Sequence, residues 1–218
     1  MNSEQPISSS SGRRAYRSPL RSEQATATRR RLLAAAGECF ASNGYAGTSL
    51  RAIAERAGVS VETVQLNGPK ADLLLAAFEQ QFVGQEGRES LLESDAVKPI
   101  LQLTEPSEFV RAMVGFMAAA NIQSAALATA FEAAALSDPK IAKALRELGG
   151  RARADARDAV AFAKSIGGVT SGRSIDEVGD ELWFVMRPPH FLQLSQILGW
   201  TAERYQAWLL RAVRELLL

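Results

Sequence analysis

The sequence predicts an all-α protein, with a small three-helix head carrying a helix-turn-helix followed by a larger helical bundle. Three observations predict it. Apolar residues recur at spacings of three and four along most of the chain, and glycine and proline pairs punctuate these runs at helix-length intervals. The alternating Val-, Ile- and Thr-rich runs that would mark strands are missing. With 218 residues and 47% hydrophobic content, the chain can form one sizeable core, or a small domain attached to a larger one.

The elements follow in order. Residues 1–24 are polar, rich in Ser and Arg and aperiodic, which predicts a disordered arm. They hold no apolar run of signal-peptide length, so a cytoplasmic location is expected. Residues 25–80 are expected to form the head. Leu32, Leu33, Ala36, Cys39 and Phe40 predict an amphipathic first helix that stops at Asn43-Gly44. Ser49 can cap a second helix with Leu50, Ile53, Ala54 and Ala57 on its apolar face, and Gly58 ends it. Ser60 caps a short third segment. Pro69 then suits the first turn of a fourth helix, buried through Leu73, Leu74, Ala77, Phe78 and Phe82.

Residues 81–218 are read as the bundle. They are punctuated at Lys98-Pro99, Glu105-Pro106, Asp138-Pro139, Gly149-Gly150, Gly167-Gly168 and Arg187-Pro188-Pro189. Residues 112–131 carry no charge, yet their alanine content and Asn121, Gln123, Ser124 and Thr129 favour a buried bundle helix over a membrane span. Pro188-Pro189 should kink or split the penultimate pattern, and Thr201 can cap the last helix.

Composition narrows the function. One cysteine, Cys39, and one histidine, His190, exclude a disulfide framework and leave too few ligands for a Cys/His zinc site, so no metal or cofactor is expected. His190 has no Ser or Cys partner at a catalytic spacing and no phosphate-binding glycine loop is present, so no catalytic residue is assigned and no enzyme is expected. The net charge of +1 is unevenly placed. Residues 1–31 hold seven arginines against Glu4 and Glu23, a local +5 on a body that sums to −4. That distribution suits a protein with one phosphate-facing end, and equally a soluble tail.

A helix-turn-helix needs two helices, a tight turn and a second helix free to enter the major groove. Ser49 to Ala57, Gly58-Val59 and Ser60 onward supply them, with Ala57 small at the crossing and Val59 able to plug the gap. The stretch "RRRLLAAAGECFASNGYAGTSLRAIAERAGVSVET" carries Phe40, Gly44, Tyr45, Thr48, Ser49, Ile53, Ala54, Ala57, Gly58, Val59, Ser60 and Thr63 in one order. In these positions, residues 27–80 resemble the amino-terminal domain of the TetR family of one-component repressors. The resemblance implies a DNA-binding head on a bundle that binds an effector and dimerises. Its pattern continues with a Tyr, two variable positions, a Phe and, six residues after the Tyr, a Lys. This chain has Gln65 at the Tyr position, Gly68 at the Phe position and Lys70 five residues on, one residue short.

Carried over by position, the resemblance implies DNA contacts from Arg29, Arg30, Thr48, Ser49, Arg51, Ser60, Val61, Glu62, Thr63, Gln65, Asn67 and Lys70. Thr48, Ser49, Arg29, Arg30 and Lys70 would meet phosphates, and Arg13, Arg14, Arg17 and Arg21 could reach a minor groove. Val61, Glu62, Thr63 and Gln65 would face base edges, while Leu66 could supply part of the missing anchor to the fourth helix. Glu62 has a plain solvent-exposed reading beside this one.

In the bundle, Met113, Phe116, Met117, Ile122, Leu127 and Phe131, with Trp183, Phe184 and Met186 opposite, are candidates for an effector pocket. Simple core packing explains the same residues. The last two helices resemble the family's dimer interface, with Leu192, Leu194, Ile197, Tyr205, Trp208, Leu209 and Ala212 as its apolar positions, though intramolecular burial accounts for the same stripe. The expected partners are a double-stranded DNA operator, a small apolar or amphipathic effector and a second copy of the chain, with no membrane. The sequence therefore reads as a ligand-responsive repressor on a palindromic operator. The alternative is a small-molecule-binding helical protein of regulator ancestry whose reading head is weakened or lost.

Overall fold

The computed structural model describes residues 19–84, 86–87, 90–169 and 172–218, without the side chains of residues 19–22, and contains no strand among them. Helix α1 (Pro19–Gly47) is broken at Gly44, where φ is +69°, so the chain stops at the glycine the sequence offers for it. α1 starts at Pro19, so residues 19–24 are helical where an irregular arm was expected. Proline is favourable in a first turn, and Glu23, Gln24, Ala25 and Ala27 are good helix formers. Arg13, Arg14 and Arg17 of the expected arm lie outside the described residues, as does the side chain of Arg21.

Ser49 and Ser60 cap α2 (Leu50–Ala57) and α3 (Val61–Leu66), their hydroxyls accepting the N–H groups of Ala52 and Thr63. Gly58 turns the chain between them at φ +66°. After Asn67, Gly68 and Pro69 comes α4 (Lys70–Val83). A segment with one short 3-10 turn, Ile100–Gln102, leads to α5 (Pro106–Ala135), followed by α6 (Pro139–Ser165), α7 (Ile175–Val185), α8 (Pro189–Leu198) and α9 (Ala202–Leu217). Asp138 caps α6, Ser174 and Glu177 form a reciprocal capping box at α7, and Thr201 caps α9. The proline pair separates α7 from α8 as expected. Gly149-Gly150, by contrast, does not interrupt the chain. α6 runs through both glycines, because its packing on α5 and α7 outweighs a propensity cost of about 1 kcal/mol each.

α5 is long and apolar enough to cross a membrane, but it is the core helix of this fold. Asn121, fully buried on it, donates to the Met186 carbonyl and the Tyr205 hydroxyl. One hydrophobic core joins Leu32, Phe40, Ile53, Val64 and Leu74 of the head to Leu127 and Phe131 of α5 and Ile141 of α6. The second lies inside the bundle around Phe109, Val160, Leu182, Tyr205 and Val213. The head is thus packed directly on the bundle, through α1 and α4 against α5.

Candidate nucleic-acid interface and effector cavity

α3 turns one side to the core and the other to solvent. Val64 is fully buried, with Val59 and Val61 packed beside it. At about 100° per residue, Glu62 and Leu66 fall on the side opposite Val64, flanked by Thr63 and Gln65. Leu66 is 88% exposed, so it provides none of the anchoring expected of it. The Glu62 carboxylate is held below its ordinary pKa by its own backbone N–H and by the Ser60 hydroxyl, which keeps it ionised. Ser49, Arg51 and Arg30 stand exposed on the same head, Arg51 paired with Glu55 at 2.8 Å.

Four of the expected DNA contacts are engaged within the protein instead. Thr48 is 2% exposed, and its hydroxyl lies 3.0 Å from the Cys39 carbonyl and 2.7 Å from that of Gly44. A buried hydroxyl needs such acceptors, so Thr48 closes the α1–α2 turn rather than meeting a phosphate. The Lys70 ammonium donates to the carbonyls of Tyr45 (2.7 Å) and Thr48 (2.9 Å), and sits 4.2 Å from the centre of the Tyr45 ring. Arg29 donates to the Asn67 carbonyl at 2.6 Å and to both carboxylate oxygens of Glu86 at 2.8 and 2.6 Å. The Asn67 amide donates to the Thr63 carbonyl at 2.7 Å. Arg29 and Asn67 therefore finish α3 and tie it to the segment after α4, which is the use the shortened junction makes of them.

A cavity of about 250 Å³ lies between α4, α5, α6 and α7, with Leu91 and Leu92 on one side. Met113, Met117, Phe131, Trp183 and Met186 line it, as the sequence suggested, and Phe78, Phe82 and Phe109 complete the apolar wall. Phe116 and Phe184 do not. Phe116 is turned to a different side of α5 and packs on the bundle core, while Phe184 lies on the outside with its ring 5.0 Å from that of His190. Ile122 and Leu127 likewise belong to packing, Leu127 to the core shared with the head. The α4 and α6 walls were missed, because the α4 stripe reads equally well as head core.

The polar rim of the cavity is internally paired. Glu79 accepts from Arg151 at 2.7 Å, Glu132 pairs with Arg187, and Asp155 accepts from the Ser90 hydroxyl at 2.5 Å and the Leu91 N–H at 2.8 Å. Burial pushes the Asp155 carboxyl above its ordinary range. The second oxygen of Glu79 accepts the Gly87 N–H at 2.7 Å. From Gly87 the chain passes to Glu86 and so to Arg29 and Asn67. An unbroken series of polar contacts and one peptide link therefore runs from the cavity wall to the end of α3. His190 takes no part, since its Nδ1 lies 3.4 Å from the Val185 carbonyl and burial lowers its pKa.

On α9, Tyr205 and Leu209 are fully buried in their own bundle and cannot form the interface expected of them. The stripe is wide enough to serve two sides, and these two positions face inward with Val213 and Leu217. Ile197, 77% exposed, and Leu198 remain uncovered on α8, with Leu192, Leu194, Trp208 and Ala212 partly exposed nearby in sequence.

Residues 32–65 match the family model described as bacterial regulatory proteins, tetR family. The match ends at Gln65, where the departures noted above begin. No curated protein matches the chain. Among solved structures, a transcriptional regulator from Rhodococcus sp. Rha1 is similar in fold at 20% identity, over 86% of this chain and 95% of its own, with a TM-score of 0.60. The regulator FadR from Bacillus subtilis, in complex with stearoyl-CoA, is similar at 15% identity, over 84% and 96%, with a TM-score of 0.65.

Proposed function

We propose that the chain is a regulator of the tetR family, whose model matches residues 32–65, and that it is a ligand-responsive transcriptional repressor that binds a palindromic operator as a homodimer in the cytoplasm. The observation that carries the ligand response is the wall that cavity and head share. Phe78 and Glu79 line the cavity from α4, the helix whose first residue, Lys70, holds the α1–α2 turn. An effector that displaces this wall moves an element of the reading head. It must bind the DNA-incompetent state more tightly, since equal affinity for both states would shift nothing.

In this reading Arg30, Ser49 and Arg51 meet phosphates, while Glu62, Thr63 and Gln65 face base edges and Val61, packed against the head core, does not. Thr48, Lys70, Arg29 and Asn67 act by holding the head in shape. The effector is a small apolar or amphipathic molecule, as the aromatic and methionine wall of the cavity favours. A stearoyl-CoA ligand on a regulator of the same fold is in keeping with that chemistry. The uncovered face of α8 and α9 supplies the isologous dimer contact, which sets two reading heads roughly 34 to 36 Å apart, or a multiple of that.

Selection of bound duplexes from a random DNA pool tests this. The expected result is a palindrome. A single enriched half-site without symmetry would remove the dimer from the reading. No enrichment, together with no affinity for random duplex at low salt, would replace the repressor by a protein whose head no longer binds DNA.

A further inference from the structure

We propose that Leu66 is a specificity residue of the reading helix and recognises the methyl group of a thymine in the major groove. The proposal rests on the DNA-binding reading above and adds the chemistry of one contacted base. A single exposed leucine is ordinary on a protein surface, so exposure alone carries nothing. The position and fixation of Leu66 distinguish it.

α3 is seated by Val64, which leaves Glu62 and Leu66, one turn apart, as the ridge farthest from the core. The last turn is held at both sides of Leu66: the Asn67 amide bonds the Thr63 carbonyl, and Arg29 bonds the Asn67 carbonyl. The leucine is thus presented outward by a fixed backbone, on a helix whose other outward side chains are Glu62, Thr63 and Gln65. Its side chain can neither donate nor accept a hydrogen bond, so it gains nothing from a phosphate or from a purine edge. The apolar feature of the major groove is the thymine 5-methyl, and aliphatic contact with it excludes water from both. Glu62, kept ionised at the other end of the ridge, accepts from the amino group of a cytosine. The ridge therefore favours sites in which a thymine and a cytosine lie close together.

The test takes the duplex enriched from the random pool and replaces each thymine in turn by deoxyuridine, which removes only the methyl. Binding of the full-length protein and of Leu66→Ala is measured by fluorescence anisotropy. At one thymine per half-site the wild-type protein should lose about fourfold in affinity, the scale of one buried carbon, while Leu66→Ala is indifferent to the change there. The thermal midpoint of the variant should match the wild type, since the side chain is exposed. If the wild type tolerates every thymine-to-uracil replacement, or if Leu66→Ala keeps the full sensitivity, Leu66 reads no methyl. Absence of binding to any duplex is a separate result, and it overturns the DNA-binding reading and this proposal together.

Discussion

Lys70 makes three contacts with the α1–α2 turn: two carbonyls at 2.7 and 2.9 Å and the Tyr45 ring at 4.2 Å. A lysine that met only phosphate could be removed at no cost to folding. Here Lys70→Ala leaves two carbonyls without their charged donor, and the expected loss is about 2 kcal/mol of unfolding free energy, read from urea denaturation. DNA affinity should fall with it, because the turn positions Ser49 at the start of α2. Unchanged stability with a shallower salt dependence of binding would return Lys70 to a phosphate contact alone. Residue identities in the head were legible because capping hydroxyls and glycine stops act within a few positions. Side-chain direction was not. Lys70 reaches back 22 and 25 residues and Arg29 forward 38 and 57, to partners that no local pattern announces.

Between α3 and α4 the shortened junction depends on Gly68, whose φ of +122° is open to glycine and strained for other residues. A side chain with a Cβ is strained at this φ, which suits glycine to the junction. Gly68→Ala should cost about 1–3 kcal/mol. Since the substituted Cβ meets nothing closer than the Asp72 Cβ at 3.8 Å, the cost is conformational rather than steric. Denaturant midpoints would show it, and a neutral Gly68→Ala would mean that the junction relaxes freely. The sequence exposed the missing residue but not its remedy, which involves Arg29 from α1. At the same scale, the wide apolar stripe of α9 gave no means of telling inward Tyr205 and Leu209 from the outer positions. The stripe is continuous, and the packing of α9 on α5, α7, α8 and α6 decides which of its positions are covered.

Over the whole molecule, the head and the bundle behave as one packed body joined by a charged link. Arg151, Glu79, the Gly87 N–H, Glu86, Arg29 and Asn67 connect the cavity to the end of α3. The Glu86 carboxyl is held below its ordinary pKa, chiefly by the Arg29 hydrogen bond. A depressed acid stabilises above its unfolded pKa, so the link is complete at neutral pH and is lost as pH falls through the lowered value. Its role in communication can be measured without knowing the effector. Glu79→Gln and Glu86→Gln preserve shape and remove one charge each, and neither residue lies on the outward face of α3. If both belong to one link, breaking either already loosens the head, and the second substitution adds little. A double-mutant cycle on operator affinity should then depart from additivity by about 0.5–2 kcal/mol. Simple additivity would mean that cavity and head communicate only through the apolar contacts of α4 with α1 and α5, leaving the polar link a matter of stability alone.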